Sequence, residues 1–173
     1  HSHNFLTRDG ETPAALAAIA KAQVQQYATV HFKNAIVTGG AAVNDGFVLE
    51  TGDGERFGAK RLLFATGVKD EMLPIKGFAE SWGISVLHCP FCHGYEVRNK
   101  RTGIIANGAQ AFELAGLISN WTTDLTIFTD GPADFTDEQA AQLASHRIDI
   151  IETPITGLKH TAGCIESVLF EDK

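Results

Sequence analysis

Between Gly103 and Ile151 continuous apolar runs alternate with helical ones, and few folds satisfy that alternation. Gly103-Ile104-Ile105-Ala106 leads through Asn107-Gly108 into a run with Phe112, Leu114, Ala115, Leu117 and Ile118 at helical spacing. Leu125-Thr126-Ile127-Phe128 follows, Thr136 then caps a helix to about His146, and Ile148-Asp149-Ile150-Ile151 is a third apolar run. Strands with apolar character throughout are covered on both faces, and strand-helix alternation builds a parallel sheet. The fold class is therefore α/β. Ile155 to Leu158 and Ile165 to Phe170 read as a closing hairpin-like pair.

The first half reads differently. His1 to Gly10 has no period and ends in Asp-Gly, so it is a loop, and His1 and His3 in it are solvated or metal-binding. Thr12 and Pro13 have the chemistry of a helix start, and Leu16, Ile19, Ala20, Val24 and Tyr27 continue it to about residue 28. Val30 and Phe32, Ala35-Ile36-Val37, Phe47-Val48-Leu49 and Arg56-Phe57, with the Gly52-Asp53-Gly54 turn, predict a small antiparallel meander. Arg61-Leu62-Leu63-Phe64-Ala65 predicts a strand covered on both faces that runs into Thr66-Gly67. Ligands gather at such strand ends, although Gly67 can equally serve only the turn. Residues 69–80, with Pro74 and Gly77, read as a connection.

Between these halves lies the chemistry: His88-Cys89-Pro90-Phe91-Cys92-His93-Gly94-Tyr95-Glu96 holds two of the three cysteines. Two intervening residues let the pair close a disulfide without moving the backbone. If a helix starts here, Pro90 fits its first position and the amide dipoles favour a thiolate, which makes the sulfur nucleophilic. His93, four residues after Cys89, falls on the same face and can exchange a proton. Three other readings compete. Cys-x-x-Cys-His is also the haem attachment pattern, but that expects an exported chain and no segment resembles a signal peptide. Zinc needs four ligands, and Cys164 has only His160 near it in sequence. Simple packing suits a proline-containing, histidine-flanked loop poorly. A redox dithiol is the favoured reading.

A net charge of -7 over 173 residues argues against nonspecific nucleic-acid binding, and no apolar run approaches a membrane span. Three cysteines, two of them in a Cys-x-x-Cys pair, suit a reducing compartment, so the expected location is cytoplasmic. Ala106-Asn107-Gly108-Ala109-Gln110-Ala111 has the place of a dinucleotide loop but lacks its first glycine. Asp130 stands where an acid would hold a ribose hydroxyl, and no arginine follows to meet a 2′-phosphate.

With these motifs placed, the chain resembles the low-molecular-weight thioredoxin reductase-like family of FAD-dependent pyridine nucleotide-disulfide oxidoreductases over essentially its whole length. Ser2-His3-Asn4-Phe5-Leu6, Ala65-Thr66-Gly67 and the cysteine stretch carry the resemblance. It implies parts of two nested Rossmann-like dinucleotide-binding domains: 1–80 as an incomplete FAD-binding-type domain, 81–173 as an NAD(P)-binding-type domain carrying the Cys-x-x-Cys. It implies FAD in the complete protein, a homodimer, and a thioredoxin-like protein or small dithiol/disulfide as substrate. Cys92 would face the flavin and Cys89 the substrate, with His93 as acid/base. Asn4 and Ala65-Thr66-Gly67 would lie at the isoalloxazine, and Gly108 and Asp130 at NAD(P)H. The family usually has an acid after its second cysteine, whereas this chain has His93. The incomplete glycine fingerprint and the missing arginine move it toward the branch of dithiol oxidases that pass electrons to oxygen, with the NADPH-driven reductase left open beside it. A noncatalytic zinc module is the alternative of another class.

The chain starts at His1 without an initiator methionine and reads as an internal fragment. The flavin pyrophosphate fingerprint and the closing Gly-Asp motif are expected outside it. The isolated chain is accordingly expected to hold no FAD and to be inactive, with order centred on 81–173.

Overall fold

The structure, a computed structural model, describes residues 2–171, which gather into two units: Glu11–Asp70, and residues 2–10 together with 71–171. In the smaller unit, α1 (Pro13–Val24) starts as its sequence dictates. Thr12 Oγ1 accepts the Ala15 N–H at 3.2 Å, and Pro13 occupies a position that needs no donor. The helix stops four residues before the expected end. Gln26, Tyr27 and Val30 bond to carbonyls only three residues back, so the chain tightens into successive turns with no glycine or proline to announce it.

The expected meander is present as β1 (Val37–Val43), β2 (Gly46–Thr51) and β3 (Arg56–Ala59), antiparallel in that order. Gly52-Asp53-Gly54 makes the second turn, with Gly54 at φ 83°. Val30 and Phe32 join no strand; their segment is held instead by Lys33, whose ammonium lies 2.6 Å from Glu55 and 3.4 Å from Asp53. Arg61–Ala65 is not a strand either, which corrects the sequence reading. None of the described strands pairs with it, and Leu63 is 87% and Phe64 77% exposed. Apolar composition makes a strand only where a neighbouring ladder takes up its backbone groups.

In the larger unit the short α2 (Phe78–Ser81) precedes α3 (Pro90–Val97). Then come β4 (Thr102–Ile105), α4 (Gly108–Ile118), β5 (Leu125–Phe128), α5 (Asp137–Ser145) and β6 (Asp149–Ile151). The three strands form a parallel sheet in chain order, as the alternation requires. Ile104, Leu125 and Ile127 of the sheet pack with Ala111 and Ala115 of α4 and Leu143 of α5. Each large aliphatic chain so buried contributes about 1.5–3 kcal/mol. Gly103 is small of necessity, since a side chain there would strike the Phe128 ring. Thr136 and Gln139 complete a capping box at α5.

β7 (Ile155–Thr161) and β8 (Cys164–Phe170) are the expected hairpin, joined by Ala162-Gly163, both with positive φ. β7 also gathers in residues before the cysteines: the Leu158 N–H donates to the Lys76 carbonyl at 2.7 Å. By contacts, then, residues 71–80 belong with the larger unit.

Candidate active site: a helix that opens on a disulfide

α3 exists because of the residues that begin it. Cys89 is its N-cap, in extended backbone, and its sulfur accepts the Cys92 N–H at 3.2 Å. Pro90 at the first helical position loses no bond. Cys89 and Cys92 form a disulfide with Cα atoms 5.3 Å apart, inside the range an unstrained backbone allows. Both sulfurs therefore sit where the helix amides point their positive ends, and that field favours the thiolates released on reduction. Cys92 is exposed and Cys89 half-buried, so an incoming thiol has a route to the pair.

Gly94 sets how α3 is seated. It is buried, and a Cβ there would collide with the Trp121 indole at the end of α4. Arg98 closes the helix, donating from Nη1 to the Tyr95 carbonyl at 2.6 Å with its guanidinium over the Tyr95 ring. His88 stacks on Trp82 with centroids 5.5 Å apart. His93 has the expected place: its N–H donates to the Cys89 carbonyl at 3.2 Å, which sets its ring on the Cys89 face, half-buried. Among the described residues its ring makes no hydrogen bond, so the position suits a group that takes up a proton from solvent or substrate.

Asn4 is brought to this helix from 87 residues away, with Nδ2 donating to the Phe91 carbonyl at 3.3 Å. Beside it, His3 Nε2 lies 3.2 Å from Glu96 of α3 and Nδ1 lies 3.3 Å from Asp9. The Asn4 backbone N–H, and after it His3, hold the Asp9 carboxyl below the usual carboxylate range. Sequence reasoning singled out Asn4 but gave no role to Asp9, Glu96 or Trp121, since nothing local marks contacts made across the chain.

Ala65, Thr66 and Gly67 lie in the smaller unit in irregular backbone. Gly67 is at φ 71° with open space around it. The described residues hold no glycine-rich turn at a helix N-terminus of the type that cradles a pyrophosphate.

Gly108 and Asp130 stand in their expected places after β4 and β5, yet the chain already uses the groups around them. Asn107 caps α4 through the Gly108 N–H at 2.8 Å, and the same oxygen accepts the Asp134 N–H at 2.9 Å. The Asp134 carbonyl lies 3.2 Å from where a Gly108 Cβ would be. Asp130 Oδ1 accepts the Ile155 N–H at 2.7 Å. The Gly108 amide and one oxygen of Asp130 are thus bonded within the chain rather than turned to a dinucleotide.

Cys89 and Cys92 bond to each other, and no group of three His, Cys, Asp or Glu able to hold a metal is found among the described residues. Nor, among them, is any helix long and apolar enough to cross a membrane.

No family model matches the chain. It is 30% identical to thioredoxin reductase sirT of Leptosphaeria maculans over 153 residues, covering 80% of this chain and 46% of that protein. It is 31% identical to thioredoxin reductase aclD of Aspergillus oryzae over 156 residues, covering 83% and 47%. Among solved structures, TrxB of Bacillus anthracis superposes with a TM-score of 0.90 at 31% identity, covering 98% of this chain and 57% of that one. An oxidoreductase of Agrobacterium tumefaciens gives 0.85 at 36% identity, covering 92% and 54%. The chain spans about half the length of the relatives it matches.

Proposed function

We propose that this thioredoxin reductase-like chain, an α/β oxidoreductase segment, carries the working disulfide of an FAD-dependent dithiol/disulfide oxidoreductase. The observation that supports this most directly is the Cys89–Cys92 bond at the start of α3, with one sulfur exposed and His93 on the same face. A substrate thiolate attacks Cys89, and Cys92 leaves as a thiolate stabilised by the helix amides. The second substrate thiolate attacks the same substrate sulfur, Cys89 leaves, and the substrate departs as a disulfide. Two electrons have then moved to Cys89 and Cys92, and His93 takes up or returns the accompanying proton. When bound, FAD would supply a two-electron partner for the pair; Asn4 is the residue beside the disulfide helix that would meet its ring, and in the smaller unit the Ala65-Thr66-Gly67 backbone is the segment that would hold flavin. The same steps in reverse reduce a disulfide, so a thioredoxin-like protein and a small dithiol are both suitable substrates. We place the protein in the cytoplasm as a homodimer.

Within this family, one observation favours the oxygen-using dithiol oxidase over an NADPH-driven reductase: the turn at Gly108 and the Asp130 carboxylate are bonded to the chain itself. Replacing Cys89 or Cys92 by serine in the full-length protein tests the central reading. Each variant is expected to lose dithiol turnover entirely, and unchanged turnover with a flavin acceptor sinks it. Rapid flavin reduction by low concentrations of NADPH, in place of reoxidation by oxygen, rejects the oxidase form.

A further inference from the structure

Residues 2–10 close on themselves. The Gly10 N–H donates to the Ser2 carbonyl at 2.9 Å, and the Arg8 N–H to the Phe5 carbonyl at 2.9 Å. Inside the loop Asn4 and Thr7 hold left-handed backbone, at φ 64° and 71°, a conformation that surroundings must enforce. At Asn4 the enforcing group is Asp9: one carboxylate oxygen accepts the Asn4 N–H at 2.9 Å, and the other faces His3 Nδ1 at 3.3 Å. The remaining ring nitrogen of His3 faces Glu96, which stands on α3 one turn after Cys92. Thus two carboxylates, one from the loop and one from the helix, face the two nitrogens of one ring. Imidazole can donate to both only as the cation, because the neutral ring has a single N–H. No hydrogen bond other than that from Asn4 to the Phe91 carbonyl joins the loop to the segment between the cysteines among the described residues.

We infer that His3 is a positioning residue: its protonated ring clamps the closed loop to α3 between Asp9 and Glu96, and through Asn4 fixes the Phe91 carbonyl between Cys89 and Cys92. The neutral ring gives up one of the two carboxylates, and Asn4 loses its anchor on the helix. The charged groups facing His3 are Asp9 from its own loop and Glu96 from α3. The Asn4 N–H, and after it His3, hold the Asp9 carboxyl below its ordinary range. The consequence is that protonation stiffens the dithiol turn. It rests on Cys89 and Cys92 being the working pair, but the docking itself is measured without turnover.

The test uses the isotope-labelled chain, with the wild type compared against His3→Gln and Glu96→Gln, followed by NMR across the range where imidazoles titrate. In the wild type the amide signals of Asn4, Phe91 and Cys92 should titrate together with the His3 ring. In His3→Gln those three should stop titrating. Dithiothreitol should also open the disulfide about two- to fivefold faster in either variant at mildly acidic pH, the size expected when an exposed ion pair is lost. Glu96→Gln leaves the loop's own bonds untouched and guards against a general loss of structure. Phe91 and Cys92 signals that titrate in His3→Gln as they do in the wild type overturn the inference. So does an unchanged opening rate in both variants.

Discussion

The indole of Trp121 occupies the space that any side chain at position 94 would need, so Gly94 and Trp121 together decide how the disulfide-bearing helix is seated. Gly94 is helical, and alanine there would ordinarily gain about 1 kcal/mol of helix propensity. Overpacking outweighs that gain, because the added Cβ would meet the rigid ring of Trp121 rather than the end of a flexible side chain. Gly94→Ala is expected to destabilise the larger unit by about 1–3 kcal/mol. Urea unfolding followed by Trp fluorescence measures it, and equal or higher stability contradicts the packing argument.

The β7–β8 hairpin offers the opposite case. Ala162 sits at φ 50° in a loop whose second residue is Gly163. Left-handed backbone costs an L-residue with a Cβ roughly 1–2 kcal/mol, and asparagine before glycine is the preferred pair for this turn. Ala162→Asn is therefore expected to stabilise the chain by about 0.5–1 kcal/mol, read from the urea midpoint at unchanged slope.

The second turn of the meander carries a pH signature. The Thr51 hydroxyl, more than any other group, holds the Asp53 carboxyl below its ordinary range, while Glu55 and then Asp53 push Lys33 up. A depressed carboxyl stabilises the fold fully above its unfolded value, about 3.9, and loses that contribution as pH falls through the folded value. A raised ammonium contributes fully below about 10.4 and loses it as pH rises through its folded value. The turn should be tightest between those limits and should loosen at both ends. Amide signals of Thr51 and Gly54 report this, and Asp53→Asn should abolish the acid transition while keeping the alkaline one.

The isolated chain is expected to purify without flavin, because none of its described turns cradles a pyrophosphate. Gel filtration followed by a visible spectrum checks this directly. A yellow band that stays with the chain refutes it.

How far the sequence could be read depended on how far each residue's partners lie along the chain. The parallel sheet of β4, β5 and β6 was legible because each strand and helix carries its own period, and Thr12 and Thr136 cap their helices through neighbours three residues away. Cys89 and Cys92 were legible for the same reason: their bond closes over two residues. Arg61–Ala65 was misread because apolar composition says nothing about whether a partner strand exists. The shortened α1 had no local stop signal. The engagement of Asp130 by Ile155, and of Glu96 by His3, joins residues that no window of sequence contains together.

Only Gly94 of α3 is buried, whereas Ile127 and Ala111 of the parallel sheet and its helix are wholly shut away from water. The disulfide is thus mounted at the margin of the buried core rather than within it. Free energies of local opening follow such differences in burial, so α3 is expected to open before the sheet does. A disulfide carried there can be disturbed at less cost to the sheet than one set among Ile104, Leu125 and Ile127.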